Sequence, residues 1–119
     1  MSLATDRRTD RRLPLRIFVD HILAEDQRCL CVTDDVSADG VRLRGTPGHG
    51  WGNPRHVWLS FRLPDDGPAI RALGELRYEG QGDDGLRVRG YRFKYLAPDN
   101  RRRFERFLAA AAWTGEAAA

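Results

Sequence analysis

The fold is decided by residues 86–115, which read LRVRGYRFKYLAPDNRRRFERFLAAAAWTG. Apolar and polar residues alternate as far as Leu96, which is the period of a β-strand. The alternation changes phase at Gly90, where a β-bulge is expected. After Pro98-Asp99 the apolar residues recur at i, i+3, i+4 and i+7, namely at Phe104, Phe107, Leu108 and Ala111. The stretch therefore predicts a strand and then one amphipathic helix near residues 99–113, closed by Gly115, with residues 116–119 frayed.

Upstream of this stretch the chain carries strand-like patterns, separated by clusters of Gly, Pro, Asp and Ser that favour turns. Their close spacing along the chain is typical of small antiparallel barrels and sandwiches. We therefore expect an all-β domain with one C-terminal helix, arranged as a six-stranded antiparallel β-barrel. The predicted upstream strands are Leu15–Leu23, Arg28–Thr33, Val41–Arg44, His56–Leu63 and Ala69–Glu79.

Residues 1–14 differ from the rest of the chain, because they contain aspartates and arginines and almost no apolar side chains. Such a segment cannot bury itself, so it is predicted to be a flexible arm. The following residues, 15–115, are predicted to form one domain, since a chain of 119 residues suits a single core. A loop is predicted over residues 45–56, with Trp51 exposed.

The positive charge of the chain is almost entirely arginine. The 20 Lys and Arg residues stand against 17 Asp and Glu, giving a net charge of +3, and Lys94 is the single lysine. A guanidinium group is a planar fork that pairs bidentately with phosphate, carboxylate or a guanine edge. A high arginine content also results from codon usage, and arginines are common on ordinary solvated surfaces. The positions of the arginines must therefore distinguish a ligand-binding role from an ordinary surface.

The composition also limits the location of the protein. No run approaches the roughly 20 apolar residues that cross a bilayer, so no membrane span is expected. Arg11-Arg12 could begin a twin-arginine export signal, but Arg16 and Asp20 fall where such a signal is uncharged and apolar. Cys29 and Cys31 share one strand face without the geometry of an easy disulfide. A reduced, cytoplasmic setting is therefore expected.

Candidate catalytic and metal-binding groups are few. The histidines, His21, His49 and His56, belong to no catalytic motif. The Cys29-x-Cys31 pair with two of these histidines has zinc-ligand chemistry but not zinc-ligand spacing. The glycine-rich run 48–52 is not followed by the helix and Lys-Ser/Thr that a phosphate loop requires. We therefore expect no enzyme activity, no metal and no cofactor.

Two short patterns carry the functional signal. Arg12-x-x-x-Arg16, preceded by Arg11, places guanidinium groups before the first strand, and Pro14 keeps the spacer out of a helix. Asp35-x-Ser37-x-x-Gly40 places a carboxylate, a hydroxyl and a flexible backbone in one turn, where they can converge on a ligand. A solvated basic arm and an ordinary Asp-Ser-Gly turn remain the alternatives.

Together these patterns resemble the two-part motif of PilZ domains, which are receptors for the bacterial second messenger cyclic di-GMP. The resemblance covers nearly the whole chain and extends to Gly90-Tyr91-Arg92-Phe93 in the last strand before a C-terminal helix. It implies a six-stranded antiparallel β-barrel and a ligand with two phosphates and two guanines. It also implies a signal transmitted to an effector protein, through ordering of the arm across the barrel surface.

The resemblance further implies a role for each motif residue. Arg12 and Arg16 would bind guanine acceptor edges and phosphates or stack on a base, while Asp35 would bind the guanine donor edge. Ser37 would donate to a phosphate oxygen, and Gly40 would let the turn close and the backbone approach the ligand. The expected ligand-binding residues are Arg11, Arg12, Arg16, Asp35, Ser37 and Gly40, with Arg8 as an auxiliary contact.

Two other functions stay open at this point. A barrel of this fold can serve as a protein-interaction adaptor that binds no nucleotide, since fold does not dictate function. A small nucleic-acid-binding barrel would need a basic face with interleaved aromatics, and residues 87–95 do interleave them, but the acidic residues argue against a concentrated basic face. Arg101, Arg102 and Arg103 occupy the first helical turn, where the helix dipole favours acids, and they form either a solvated group or a basic patch.

Overall fold

Six antiparallel strands close into a barrel in the order β1-β2-β3-β6-β5-β4, and one helix follows the last strand. The computed structural model describes residues 12–24, 27–45, 54–65 and 67–118, with helix side chains as far as Trp113. The elements are β1 (Phe18–Ala24), β2 (Gln27–Ser37), β3 (Gly40–Gly45), β4 (His56–Phe61), β5 (Ile70–Gln81), β6 (Arg87–Leu96) and α1 (Pro98–Ala118). The predicted fold class, an all-β barrel with one C-terminal helix, is confirmed.

The barrel interior is filled by alternate residues of the strands, and α1 adds aromatic side chains to the same core. Val19, Leu43 and Leu59 are almost completely buried. Phe104 of α1 is also fully buried, and its ring lies edge-on to Phe61 at 5.4 Å between centroids. Burying a large apolar side chain contributes about 1.5–3 kcal/mol, so the helix is an integral part of the core.

Several predicted element boundaries differ from the structure, and three of them differ by three residues or more. The helix continues to Ala118, past the predicted end at Gly115 and through most of the predicted frayed tail. One glycine costs a helix only about 1 kcal/mol relative to alanine, and the neighbouring alanines favour helix. Strand β2 extends to Ser37, through residues that resemble a turn. Strand β1 begins at Phe18, later than predicted at Leu15.

The β-bulge predicted at Gly90 lies instead on the strand opposite it, while Gly90 itself pairs regularly with Arg42 of β3. The pairing of β5 with β6 shifts between Leu76 and Tyr78, which lie opposite Tyr91 and Gly90, so the extra residue is Arg77 of β5. A Cβ at Gly90 would overlap the ring of Tyr78. A side chain is therefore excluded at position 90, because the ring of the neighbouring strand occupies its space.

The N-terminal arm ends earlier than predicted. Leu13 forms a bridge with Val36 through two backbone hydrogen bonds of 2.7 and 2.9 Å, and its side chain is 9% exposed. Residues 12–14 are therefore attached to the barrel rather than part of a free arm. Residues 1–11 lie outside the described part of the chain, as do residues 46–53 of the predicted loop and Trp51.

Two of the arginines in the first turn of α1 have specific partners. Arg103 donates to the Asp65 carboxylate at 3.0 Å and to the carbonyl oxygen of Pro68 at 3.0 Å, which joins the helix to the β4–β5 connection. Arg102 pairs with Asp99 in the same turn. These contacts favour a structural role over a basic patch for both side chains. Within the described ranges, no helix is long and apolar enough to cross a membrane.

Candidate functional site

The side chain of Thr33 attaches the segment before β1 to the barrel. Its hydroxyl donates to the carbonyl oxygen of Leu15 at 2.6 Å and accepts from the amide of Ile17 at 2.8 Å, and Thr33 itself is fully buried. The Thr33 amide donates to the carbonyl oxygen of Ile17 at 3.0 Å. These bonds and the Leu13 bridge hold residues 13–17 beside the end of β2, which brings Arg12 to the predicted motif.

Arg12, Asp35 and Ser37 form one cluster. The Nε of Arg12 lies 2.5 Å from Oδ1 of Asp35, and its Nη1 lies 3.5 Å from the hydroxyl of Ser37. Asp35 and Ser37 are two residues apart on β2 and so share one face of the strand. The Arg12 and Asp35 side chains are 44% and 21% exposed, so both remain accessible to a ligand. The structure thus brings the first arginine of one predicted motif to the carboxylate and hydroxyl of the other, which lie far from it in sequence.

Gly40 begins β3 and pairs with Arg92 of β6. A Cβ at this position would overlap the backbone carbonyl oxygen of Tyr91. Next to it, the amide of Phe93 donates to the carbonyl oxygen of Asp39 at 2.7 Å, and the Asp39 amide donates to the Ser37 hydroxyl at 3.2 Å. Glycine is therefore required here for the close approach of two strands, and this approach fixes the turn that carries Ser37.

The structure separates Arg16 from the Arg12 cluster. Arg16 is exposed and lines a groove with Phe18 and Leu30 on the outer barrel face. It forms no hydrogen bond within the described ranges, although its charge contributes to lowering the pKa of Asp34. Arg8 and Arg11, the remaining arginines predicted to bind the ligand, lie outside the described residues.

Asp34, next to the motif, forms a structural ion-pair group with Arg44. Asp34 is the extra residue in the pairing of β2 with β3, and its carboxylate accepts from Nε and Nη2 of Arg44 at 2.7 and 2.6 Å. Arg44 also contacts Asp84 at 2.5 Å. The hydrogen bonds from Arg44 hold the pKa of Asp34 below its ordinary value. The bulge therefore directs Asp34 to Arg44 and leaves Asp35 to Arg12.

A small cleft of about 130 Å³ adjoins the cluster and is formed by β3, β5 and β6. Arg12 and Gly40 line it together with Tyr78, Arg77 and Arg92. Tyr78 is 48% exposed, and the Arg42 guanidinium lies over its ring at 5.9 Å from the centroid. Sequence reasoning missed Tyr78, Arg77 and Arg92. The available signal was an aromatic residue in the strand opposite Gly90, where a side chain can lie across the gap.

A polar group extends into the barrel interior on the other side of Tyr91. The Tyr91 hydroxyl lies 2.9 Å from Nε2 of His21 and 3.2 Å from Nη1 of Arg89, which are both almost completely buried. Arg89 also donates to the Glu79 carboxylate at 2.6 Å, and this bond holds the pKa of Glu79 below its ordinary value. Burial raises the pKa of Tyr91. These partners satisfy groups that would be costly to bury alone.

The cysteines and histidines that the sequence suggested as zinc ligands are only partly described. Among the residues that the structure describes, no group of three or more His, Cys, Asp and Glu side chains could hold a metal ion. Cys29 and Cys31 are free cysteines, and His49 lies outside the described residues.

The barrel, its C-terminal helix and the arginine–carboxylate–hydroxyl cluster at the end of β2 define a small all-β domain with an accessible polar site on its surface. A comparison with known protein families matches residues 6–110 to the PilZ domain. The chain therefore belongs to the PilZ domain family, as its sequence motifs predict. PilZ domains are cyclic di-GMP receptor and adaptor domains rather than enzymes.

Comparison with solved structures agrees on the fold. The Bacillus subtilis inhibitor of motility, MotI/DgrA, superposes with a TM-score of 0.75 at 13% sequence identity. The match covers 87% of this chain and 50% of that one, so the chain spans half the length of the MotI/DgrA chain. At this identity the likeness establishes a shared fold. A search of curated proteins finds no match to the chain.

Proposed function

We propose that this PilZ domain is a receptor for cyclic di-GMP that binds the nucleotide beside Arg12, Asp35 and Ser37. The observation that carries the proposal is the cluster itself, in which Arg12 lies 2.5 Å from Asp35 and 3.5 Å from Ser37 at the edge of an open cleft. A guanidinium group, a carboxylate and a hydroxyl in this arrangement match the acceptor edge, donor edge and phosphate of a guanine nucleotide.

The charge around the cleft suits a ligand with two phosphates. Arg12, Arg77 and Arg92 line the cleft, and Arg16 is the second arginine of the Arg12-x-x-x-Arg16 motif. Asp35 offsets part of this charge and orients the Arg12 guanidinium through its Nε, which leaves the terminal nitrogens directed to other partners. In the proposed complex the Asp35 carboxylate accepts from the donor edge of guanine while Arg12 and Arg16 bind acceptor edges or phosphate.

Tyr78 extends the proposed site beyond the sequence motifs. Its ring is half exposed, lies across Gly90 and has the Arg42 guanidinium on it. A base–aromatic stack contributes about 1–3 kcal/mol. A guanine positioned by Arg12 is therefore proposed to stack on Tyr78 in place of the Arg42 guanidinium. Gly90 is needed because a Cβ at position 90 would overlap the Tyr78 ring.

The proposed signal is a change in the surface that the domain presents. Residues 12–17 are attached to the barrel by Leu13 and Thr33, so any ordering by the ligand concerns residues 7–11. Ligand charge acting on Arg8 and Arg11 would hold this segment across the barrel, where an effector protein in the cytoplasm would meet it. Amide hydrogen exchange should then slow over residues 7–11 when cyclic di-GMP is added, and equal exchange rates with and without ligand would contradict the ordering.

The test is calorimetric titration of the full chain with cyclic di-GMP, with GTP and a short single-stranded oligonucleotide as comparison ligands. We expect saturable binding at micromolar affinity or better, about −8 kcal/mol, for cyclic di-GMP alone. Arg12→Ala and Arg16→Ala should each lose at least ~2 kcal/mol, because each removes charge-assisted contacts. Arg106→Ala, which removes an exposed arginine of α1, is the matched control and should bind normally. No binding by the folded wild-type chain would leave the protein-interaction adaptor as its function.

The structure disfavours the nucleic-acid alternative. Among the arginines interleaved with aromatics on β6, Arg89 is buried inside the barrel and Arg87 pairs with Glu79 on the neighbouring strand. Neither guanidinium is available to a phosphate backbone without breaking these pairs. Binding of the oligonucleotide in the titration above would contradict this reasoning.

A further inference from the structure

The outer face of β1 and β2 exposes two large apolar side chains beside each other. Phe18 is 69% exposed and Leu30 is 60% exposed. Leu30 lies directly opposite Asp20 in the β1–β2 pairing, so Phe18 is its diagonal neighbour on the same face. The face continues into a groove of about 520 Å³ whose far wall includes Phe107 of α1. Apolar side chains on neighbouring strands that meet in one groove indicate a contact surface.

The rim of this groove is positively charged. Arg16 and Arg62 line it, and Arg28 is exposed on the same face two residues before Leu30. Within the described ranges none of these three arginines forms an ion pair, whereas Arg12, Arg44, Arg89 and Arg103 all do. Asp20 is the acidic residue that lines the groove. The groove therefore combines apolar lining residues with arginines that form no ion pair in the part of the chain that the structure describes.

We propose that this groove docks an acidic amphipathic segment of a partner protein. Apolar residues on one side of such a segment would cover Phe18, Leu30 and Phe107, and its carboxylates would meet Arg16 and Arg62 as charge-assisted pairs. The concave shape favours a protein segment over a membrane surface, which would need a flat or convex face.

Arg16 gives the groove a link to the nucleotide site, and this part of the inference rests on the proposed function. The Arg16 side chain lines the groove here, although it belongs to the motif that is proposed to bind cyclic di-GMP. A guanidinium group that binds the nucleotide is withdrawn from the rim of the groove. Nucleotide and acidic segment should therefore weaken each other's binding by the same factor, as linkage requires.

The experiment uses two synthetic peptides of about 18 residues, or five helical turns, with Leu on one helical face and either Glu or Lys on the other. Binding to the full chain is measured by calorimetry and by amide chemical shifts. We expect the Glu peptide to bind at least about tenfold more tightly than the Lys peptide and to shift residues around Phe18 and Leu30. Arg62→Glu should weaken binding of the Glu peptide about tenfold and strengthen binding of the Lys peptide. Lys94→Glu, the same charge change on β6 across the barrel, should do neither.

Three results would overturn the inference. Equal effects of Arg62→Glu and Lys94→Glu would show attraction by net charge instead of docking in the groove. Binding to phosphatidylglycerol vesicles with the same dependence on Arg62, without peptide binding, would make the groove a membrane surface. An unchanged peptide affinity in saturating cyclic di-GMP, for a chain that binds the nucleotide, would remove the link through Arg16. A chain that binds no cyclic di-GMP would refute the proposed function, while the Arg62 variants would still decide the groove.

Discussion

Replacing Thr33 with valine should loosen the segment that carries the arginines while keeping the shape of the side chain. The Thr33 hydroxyl satisfies two part-buried backbone groups, the Leu15 carbonyl at 2.6 Å and the Ile17 amide at 2.8 Å. Each backbone group left without a partner costs about 1–3 kcal/mol. The segment can limit this cost by detaching, but it then exposes Leu13 and breaks the bridge to Val36, which together cost a similar amount. The expected loss of unfolding free energy is therefore about 2–4 kcal/mol.

The assay is urea denaturation of the full chain, followed by tryptophan fluorescence. A loss of this size lowers the midpoint by roughly 1–3 M at the m-value of a small domain. Thr33→Ser is the matched control, because it keeps the hydroxyl and removes one methyl group, which costs about 1 kcal/mol. Thr33→Val should also weaken binding of cyclic di-GMP, since Arg12 and Arg16 flank the detached segment, whereas Thr33→Ser should bind almost normally. A Thr33→Val midpoint equal to that of Thr33→Ser would refute the role assigned to the hydroxyl.

Three further outcomes are expected. Gly40→Ala should lower both the stability of the domain and its affinity for cyclic di-GMP, because the new Cβ overlaps the backbone carbonyl oxygen of Tyr91. Overpacking of this kind costs about 1–3 kcal/mol, so an unchanged melting temperature would contradict the prediction. Arg103→Ala should destabilise the domain by about 1 kcal/mol and Arg102→Ala by less than half of that in thermal melts, because only Arg103 joins the helix to another element. The hydrogen bonds from Arg44 lower the pKa of Asp34 in the folded chain, so this carboxylate stabilises the fold above its unfolded pKa and the stabilisation is lost as the pH falls through its folded pKa. The urea concentration at the unfolding midpoint should therefore decrease as the pH is lowered below about 4. Asp34→Asn should make this decrease smaller.

The fold could be predicted from the sequence because the spacing of apolar residues changes from the strand period to the helix period only once. Strand alternation runs up to Leu96, and helical spacing begins after Pro98, so one helix and a set of strands were the consistent interpretation. The motif cluster was predictable in part, because the short spacing of Asp35 and Ser37 predicted that they lie together, although they lie on one face of β2 and not in the predicted turn. Contacts between Arg12 and Asp35, 23 residues apart, required the family resemblance, because local patterns do not encode such pairings.

The remaining features depend on tertiary placement. A buried threonine in a strand is common, and only the structure shows that Thr33 bonds two backbone groups of a different segment. Asp34 and Asp35 look equivalent in sequence, but a bulge assigns one to Arg44 and the other to Arg12. Tyr78 lines the cleft beside Arg12, and its ring fits there because Gly90 has no side chain. These features come from packing between strands, which residue patterns along one strand do not specify.

The high proportion of arginine among the basic residues has a structural explanation, because several arginines make paired contacts within the fold. Arg44 uses two nitrogens on one carboxylate, Arg89 joins a buried tyrosine to a glutamate, and Arg103 joins a carboxylate to a carbonyl oxygen. A lysine has no planar fork and could not make these paired contacts. Richness in arginine is therefore not in itself evidence for a nucleotide ligand. The proposal of a nucleotide ligand rests instead on the positions of particular accessible arginines, Arg12 at the cluster with Asp35 and Ser37 and Arg16 at the groove. Both arginines belong to the segment before β1, so the two proposed surfaces meet there.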